Sequence, residues 1–183
     1  MKIGVISDTH GSLTAWQNVY NACFRDVDTI IHCGDVLYHG PRNSIPEGYD
    51  PQGLTKELQR IPQPIIFTKG NCDAEIDQFI LEYPLESSYA HIFTTNLKIL
   101  VTHGHLWDPE QPPSHISKGY NLIISGHTHL PMLKRTANRF LLNPGSPALP
   151  KNDPQVPTAA IIDENQIRIV NAITGSVMNC LEL

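Results

Sequence analysis

Five tight polar clusters hold most of the residues that could do chemistry in this chain. They are Asp8-Thr9-His10, Gly34-Asp35, Gly70-Asn71, His103-Gly104-His105 and Gly126-His127-Thr128-His129. Asp, Asn and His offer hard-to-borderline oxygen and nitrogen donors. Such donors suit manganese, iron, zinc or cobalt better than copper(I), which prefers sulfur. In an extended D-x-H or H-x-H the two outer side chains leave the same side of the chain, so both reach one small volume. Two ions roughly 3.5–4 Å apart need a bridging carboxylate. Asp35, a lone Asp after a strand and a glycine, is the natural bridge. Taken singly, each motif has an ordinary reading: Asp8 as a helix cap, His10 as a loop histidine, His127 and His129 as a surface turn. Five of them in order point instead to one metal site.

The elements that must position these clusters are short apolar runs. Residues 2–6, 29–33, 64–68, 98–102 and 121–124 each read as a strand, and each ends at one of the clusters. Ser12 is placed to cap a helix over residues 13–24, whose apolar residues fall on one face. Strand, helix and strand make a β-α-β unit, which implies parallel strands. A second short helix is predicted over 54–60, and the Pro- and Gly-containing stretch 38–53 reads as an irregular loop. Residues 139–142, 158–162 and 166–172 are strand-like without intervening helices, which suggests antiparallel pairing. Open α/β sheets bind ligands beyond the carboxyl ends of their strands, where these clusters would converge. The glycines beside the ligands (Gly34, Gly70, Gly104, Gly126) let the backbone turn tightly there. No repeat or low-complexity linker interrupts residues 1–183, so one domain is expected.

Composition bounds the function. The chain has 183 residues, 40% of them hydrophobic, enough for a compact core. A formal charge of −5 disfavours a nucleic-acid binder that relies on bulk positive charge. It leaves room for phosphate chemistry, because bound cations add local charge. Neither a signal peptide nor a membrane span is visible, and Cys23, Cys33, Cys72 and Cys180 are scattered. A cytoplasmic protein with reduced thiols is therefore expected, with no membrane partner.

The quoted motifs, in the order D-x-H, G-D, G-N, H and G-H-x-H, resemble the calcineurin-like metallophosphoesterase superfamily. Within it the chain looks most similar to the YfcE-type bacterial and archaeal phosphodiesterases. Gly34-Asp35-Val36-Leu37-Tyr38-His39-Gly40-Pro41-Arg42, Gly70-Asn71-Cys72-Asp73 and Asn143-Pro144-Gly145-Ser146 carry that finer likeness. The resemblance implies a four-layer α/β/β/α sandwich of two facing mixed sheets. It implies one ion on Asp8, His10, Asp35 and His129, and a second on Asp35, Asn71, His103 and His127. Manganese is the ion it favours, with zinc, iron, cobalt and nickel as alternatives. The implied reaction is hydrolysis of a phosphodiester by a hydroxide bridging the ions. A phosphomonoesterase, or a metal-binding interaction scaffold on the same fold, are the rival readings. A homodimer or homotetramer is implied too.

Around that frame, the catalytic set is read as Asp35, Asn71, Cys72 and His105. Cys72 and Asp73 stand where many relatives carry histidine and glutamate. A thiol is a weak donor and carries no positive charge, so help for a poor leaving group should be small. His105 is read as a substrate contact or as an orienter of a ligand. His39 and Arg42 are candidate contacts for a small phosphate-ester substrate, with a solvated loop as the equal reading. His32 is read as a packed strand residue, His91 and His115 as surface groups, and Trp107 as pocket lining or core.

Overall fold

The computed structural model describes all 183 residues. Strand β1 (Ile3–Ile6), helix α1 (Leu13–Val19) and strand β2 (Thr29–His32) form the predicted unit, with β1 and β2 parallel. Ser12 caps α1, its Oγ accepting the Ala15 N–H at 3.1 Å. The helix widens into a π turn over Tyr20–Phe24, and Trp16, Val19 and Phe24 are buried along the face that the spacing predicts. Helix α2 (Pro51–Arg60) begins earlier than its apolar residues suggest. Asp50 caps it through the Gly53 N–H at 2.9 Å, and Pro51 sits in the first turn, where a missing N–H is harmless. Strand β3 (Ile65–Phe67) pairs parallel to β2.

The rest of the chain is mostly strand: β4 (Tyr89–Phe93), β5 (Lys98–Thr102), β6 (Leu122–Ile124), β7 (Pro131–Arg135), β8 (Phe140–Pro144), β9 (Thr158–Ile162), β10 (Gln166–Asn171) and β11 (Val177–Glu182). Two short helices, α3 (Asp77–Leu81) and α4 (Ser114–Ser117), interrupt it. One sheet has the order β11-β10-β9-β1-β2-β3, the other β4-β5-β6-β8-β7. The C-terminal third is divided between them. Strands β9 and β10 are antiparallel, as predicted, and β11, which no apolar run marks, pairs antiparallel to β10. Strand β8 departs from that expectation: it is antiparallel to β7 but parallel to β6. It lies between the two, so its two neighbours run in opposite directions.

Period-two alternation sorts the core. Ile3, Val5 and Ile31 of the first sheet meet Ile99, Val101, Leu122 and Ile124 of the second in one buried cluster. Ile6 and Ile30 point the other way, against Trp16, Val19, Leu54 and Leu58 of the helices. Leu100, Ile123 and Leu141 point outward from the second sheet beneath Trp107, Ile116 and Tyr120. The result is the α/β/β/α sandwich with two mixed sheets. Its last layer is slight, a four-residue helix and its flanking loop. No helix is long and apolar enough to cross a membrane.

Candidate metal centre

The parallel strands β1, β2 and β3 end beside β5 and β6 of the facing sheet, and their loops carry the five clusters into one place. Asp8 and His10 follow β1, Asp35 follows β2, and Asn71 follows β3. His103 follows β5, and His127 and His129 follow β6. Asp8, His10 and His129 form one group of potential ligands, and Asp8, Asp35 and His103 a second. Within each group the ligating atoms lie within 4.8 Å of one another. Asp8 Oδ1 is 3.3 Å from His129 Nε2 and 3.6 Å from His10 Nε2. Asp35 Oδ2 lies between His10 Nε2 at 3.8 Å and His103 Nε2 at 3.4 Å, as a bridging carboxylate requires.

Tautomers fix which nitrogens face inward. His10 Nδ1 donates to the Tyr38 carbonyl at 2.8 Å, His103 Nδ1 to the Cys33 carbonyl at 2.8 Å, and His129 Nδ1 to the Leu149 carbonyl at 2.7 Å. A carbonyl only accepts, so each Nδ1 carries a proton and each Nε2 faces the centre. Backbone partners of this kind orient metal-binding histidines. His10 Nε2 and His129 Nε2 are 3.2 Å apart. Two nitrogens each about 2.0–2.1 Å from one ion are separated by roughly that much. Asp8 Oδ1 is fully buried and has no hydrogen-bond partner, whereas Asp8 Oδ2 accepts from Ser7 Oγ and the His127 N–H. A buried carboxylate oxygen left unpaired is costly unless a cation satisfies it. The residues present therefore fit a pair of divalent ions.

The electrostatics agree. Burial works to raise the Asp8 pKa, yet the neighbouring imidazoles of His10, His129 and His103 hold it well below the usual carboxylate range. Asp35 behaves alike, burial opposed by the hydrogen bond and charge of His103. Burial would lower His103, but Asp35 and Asp8 outweigh it and raise the imidazole to about 9. A divalent ion bound there would displace the proton from His103 Nε2.

Other predicted residues stand around this centre. Asn71 Oδ1 lies 3.2 Å from His103 Nε2. The His127 ring packs edge-on to His103, centroids 5.1 Å apart, and lines the cleft. His105 lies beside His103 and His127 but outside the ligand groups, with a buried and unpartnered Nδ1. Cys72 lines the cleft with its thiol pushed up to about 12 by burial and then by Asp35, so it is a poor nucleophile. Arg42 lines the cleft as well, but the His39 ring instead packs against Tyr38 and Tyr49. The cleft, about 730 Å³, also takes in Tyr38, Asn43 and Lys151. Lys151 escaped the sequence reading because it belongs to no motif; it follows the Leu149 carbonyl that holds His129.

Two supports surround the ligands. Buried Asp73 accepts N–H groups from Asp35 at 2.8 Å, Val36 at 2.7 Å and Gly70 at 2.7 Å, tying the loop after β2 to the loop after β3. Asn143 donates to the Gly126 carbonyl at 2.8 Å and to Thr128 Oγ1 at 3.1 Å, while Ser146 Oγ donates to the Asp8 carbonyl at 2.8 Å. Gly34 has φ +96°, the tight turn expected of it. Gly70 is needed for a different reason: any Cβ there would collide with Asp35 Oδ1. Six non-glycine residues have positive φ, and five of them are Asp8, His10, Asp35, His127 and His129. Backbone strain is thus gathered at the ligands.

Two facing mixed sheets with this Asp/His centre at their strand ends define a metallophosphoesterase. The chain belongs to the calcineurin-like phosphoesterase superfamily, whose domain model matches residues 1–166. It is 37% identical over 152 residues to the Escherichia coli phosphodiesterase YfcE, covering 82% of each protein. The solved structure of E. coli YfcE superposes with a TM-score of 0.90 at 32% identity, covering 99% of this chain and 98% of that one. A phosphodiesterase of Methanocaldococcus jannaschii is 31% identical over 156 residues, 79% of this chain and 83% of its own.

Proposed function

We propose that this chain hydrolyses phosphodiesters with a pair of divalent ions held by Asp8, His10, Asp35, Asn71, His103, His127 and His129. The observation that carries the reading is the shared geometry of His10, His103 and His129. Each is pinned through Nδ1 to a backbone carbonyl, and each aims Nε2 at Asp8, with His10 and His103 also reaching Asp35. Bound there, two ions supply Lewis acidity and lower the pKa of a water to near neutrality. The chain's own groups do the rest. Asp8 and Asp35 balance cation charge, Asn71 contributes a neutral amide oxygen, and Arg42 and Lys151 offer positive charge to the ester from the cleft wall. Cys72 offers no strong acid for a leaving group. That favours diesters, as do the names of the E. coli and M. jannaschii relatives. Manganese in a reducing cytoplasm is the setting proposed, and the four unbonded cysteines agree with the latter. A scaffold on this fold has no use for buried, strained ligands, and here every ligand position is filled.

The test compares a diester and a monoester of one chromogenic alcohol, using metal-reconstituted protein. Diester turnover should exceed monoester turnover, vanish on chelation, and fall at least about a hundredfold in Asp35→Asn. Turnover that survives both chelation and Asp35→Asn would sink the two-ion reading. A preference for the monoester would sink only the diester assignment.

A further inference from the structure

A third group of potential ligands joins the two already described: His10, Asp35 and Cys72, whose ligating atoms lie within 4.8 Å of one another. Several contacts hold the cysteine against the centre. Its backbone N–H donates to Asp35 Oδ1 at 2.8 Å, fixing Cys72 beside the bridging carboxylate. Its Sγ accepts from Asn71 Nδ2 at 3.3 Å, the arrangement that leaves Asn71 Oδ1 free to face His103. Gly40 makes room for the sulfur, since a Cβ there would stand 2.9 Å from Sγ. The fully buried, unpartnered Asp8 Oδ1 aims at the same His10 nitrogen and independently calls for a cation there.

Sulfur is a soft donor in a site otherwise made of oxygen and nitrogen. Soft ligands select zinc, cadmium and similar ions, while carboxylate, amide and water suit manganese. Sulfur and nitrogen donors lie about 2.3 Å and about 2.0–2.1 Å from a zinc ion. At a tetrahedral angle those lengths put the two donors about 3.6 Å apart, inside the 4.8 Å that bounds His10, Asp35 and Cys72.

We propose that Cys72 is a conditional metal ligand, joining His10 and Asp35 on a thiophilic ion and standing aside when the ion is manganese. The proposal rests on the metal-centre reading above. Ligation breaks the S–H bond, releases the proton to solvent and forms a sulfur–metal bond, with no change of oxidation state. The Asn71 N–H that already meets Sγ stabilises the resulting thiolate. Because Cys72 lines the cleft, a sulfur-ligated ion presents thiolate where an ester must enter. Zinc and cadmium should therefore bind more tightly than manganese yet support less turnover, so a single side chain separates metal affinity from metal usefulness.

The test is a cobalt(II) titration of the metal-free full chain under reducing conditions. Wild type should develop visible d–d absorption together with a near-ultraviolet sulfur-to-cobalt charge-transfer band. Cys72→Ser should keep the first and lose the second, and Cys180→Ser should keep both. In competition, the preference for cadmium over manganese should fall by about tenfold or more in Cys72→Ser. Visible absorption without the charge-transfer band in wild type, or a band that persists in Cys72→Ser, overturns the proposal. Failure to bind cobalt at all overturns the metal centre itself, and this inference with it.

Discussion

Histidine plays two opposite parts within a few ångströms. His10, His103 and His129 turn Nε2 to the centre, whereas His32 has both ring nitrogens tied to the loops. Its Nδ1 accepts the Gly34 N–H at 3.2 Å, so Nε2 carries the proton and donates to Thr9 Oγ1 at 2.9 Å. Thr9 in turn donates to the Val36 carbonyl at 2.9 Å. The ring is a buried spacer between the loops after β1 and β2, as its place within a strand suggests. Burial drives its pKa from 6.5 down to about 3, against the pull of Asp8. Below pH 6.5 the unfolded chain takes up a proton that the folded ring refuses. Stability contributed by His32 is thus complete above pH 6.5 and is lost as pH falls towards 3. Nitrogen-resolved NMR should find His32 as the neutral Nε2–H tautomer at pH 5. A titration midpoint above pH 5 would contradict this.

At the scale of elements, parallel strands deliver the ligands, but straps between loops hold the spacing. Asp73 is the clearest strap, a carboxylate with three backbone donors and no room for one of its own. In Asp73→Asn an amide NH₂ must face at least one of those N–H groups. The variant should lose about 1–3 kcal/mol in denaturant unfolding and bind metal about 10–100-fold more weakly. Unchanged metal affinity would mean that the loops hold their spacing without Asp73. The strands that feed the site were legible in the sequence because they are buried on both faces and read as apolar runs. Strands β4, β7 and β11 were not legible. All three are sheet edges with mostly exposed or half-exposed side chains, so backbone pairing defines them and hydrophobic spacing does not. Similarly, Asp8 and His129 were legible as motif residues, but Lys151 joins the cleft only through the path of the chain after β8. His39, adjacent to the motif, was turned away by its packing on Tyr49.

For the whole molecule, the centre is the place where the two sheets are tied together by charge. The first sheet supplies Asp8, His10, Asp35 and Asn71; the second supplies His103, His127 and His129. Removing the ions should loosen that tie without separating the sheets, whose apolar faces are already buried against each other. Residues 1–183 should therefore unfold as one cooperative unit. The two tryptophans report on opposite layers: Trp16 is on the buried face of α1 and Trp107 on the outside of the second sheet. In urea, fluorescence from single-tryptophan variants and far-ultraviolet circular dichroism should give coincident transitions. Metal at about a hundred times its Kd should shift all of them together, by about 2.7 kcal/mol. Separate midpoints for Trp16 and Trp107 would show two independent units.

The left-handed backbone at Asp8, His10, Asp35, His127 and His129 has an implication for inheritance. Each such residue costs on the order of 1–3 kcal/mol that a glycine would largely avoid. Random substitution would therefore find stabilising replacements at these five positions sooner than almost anywhere else in the chain. A lineage that had stopped using its ions would slide towards glycine or asparagine there, gaining robustness as it lost chemistry. Asp and His at these five positions thus place metal-binding side chains where the backbone by itself favours glycine.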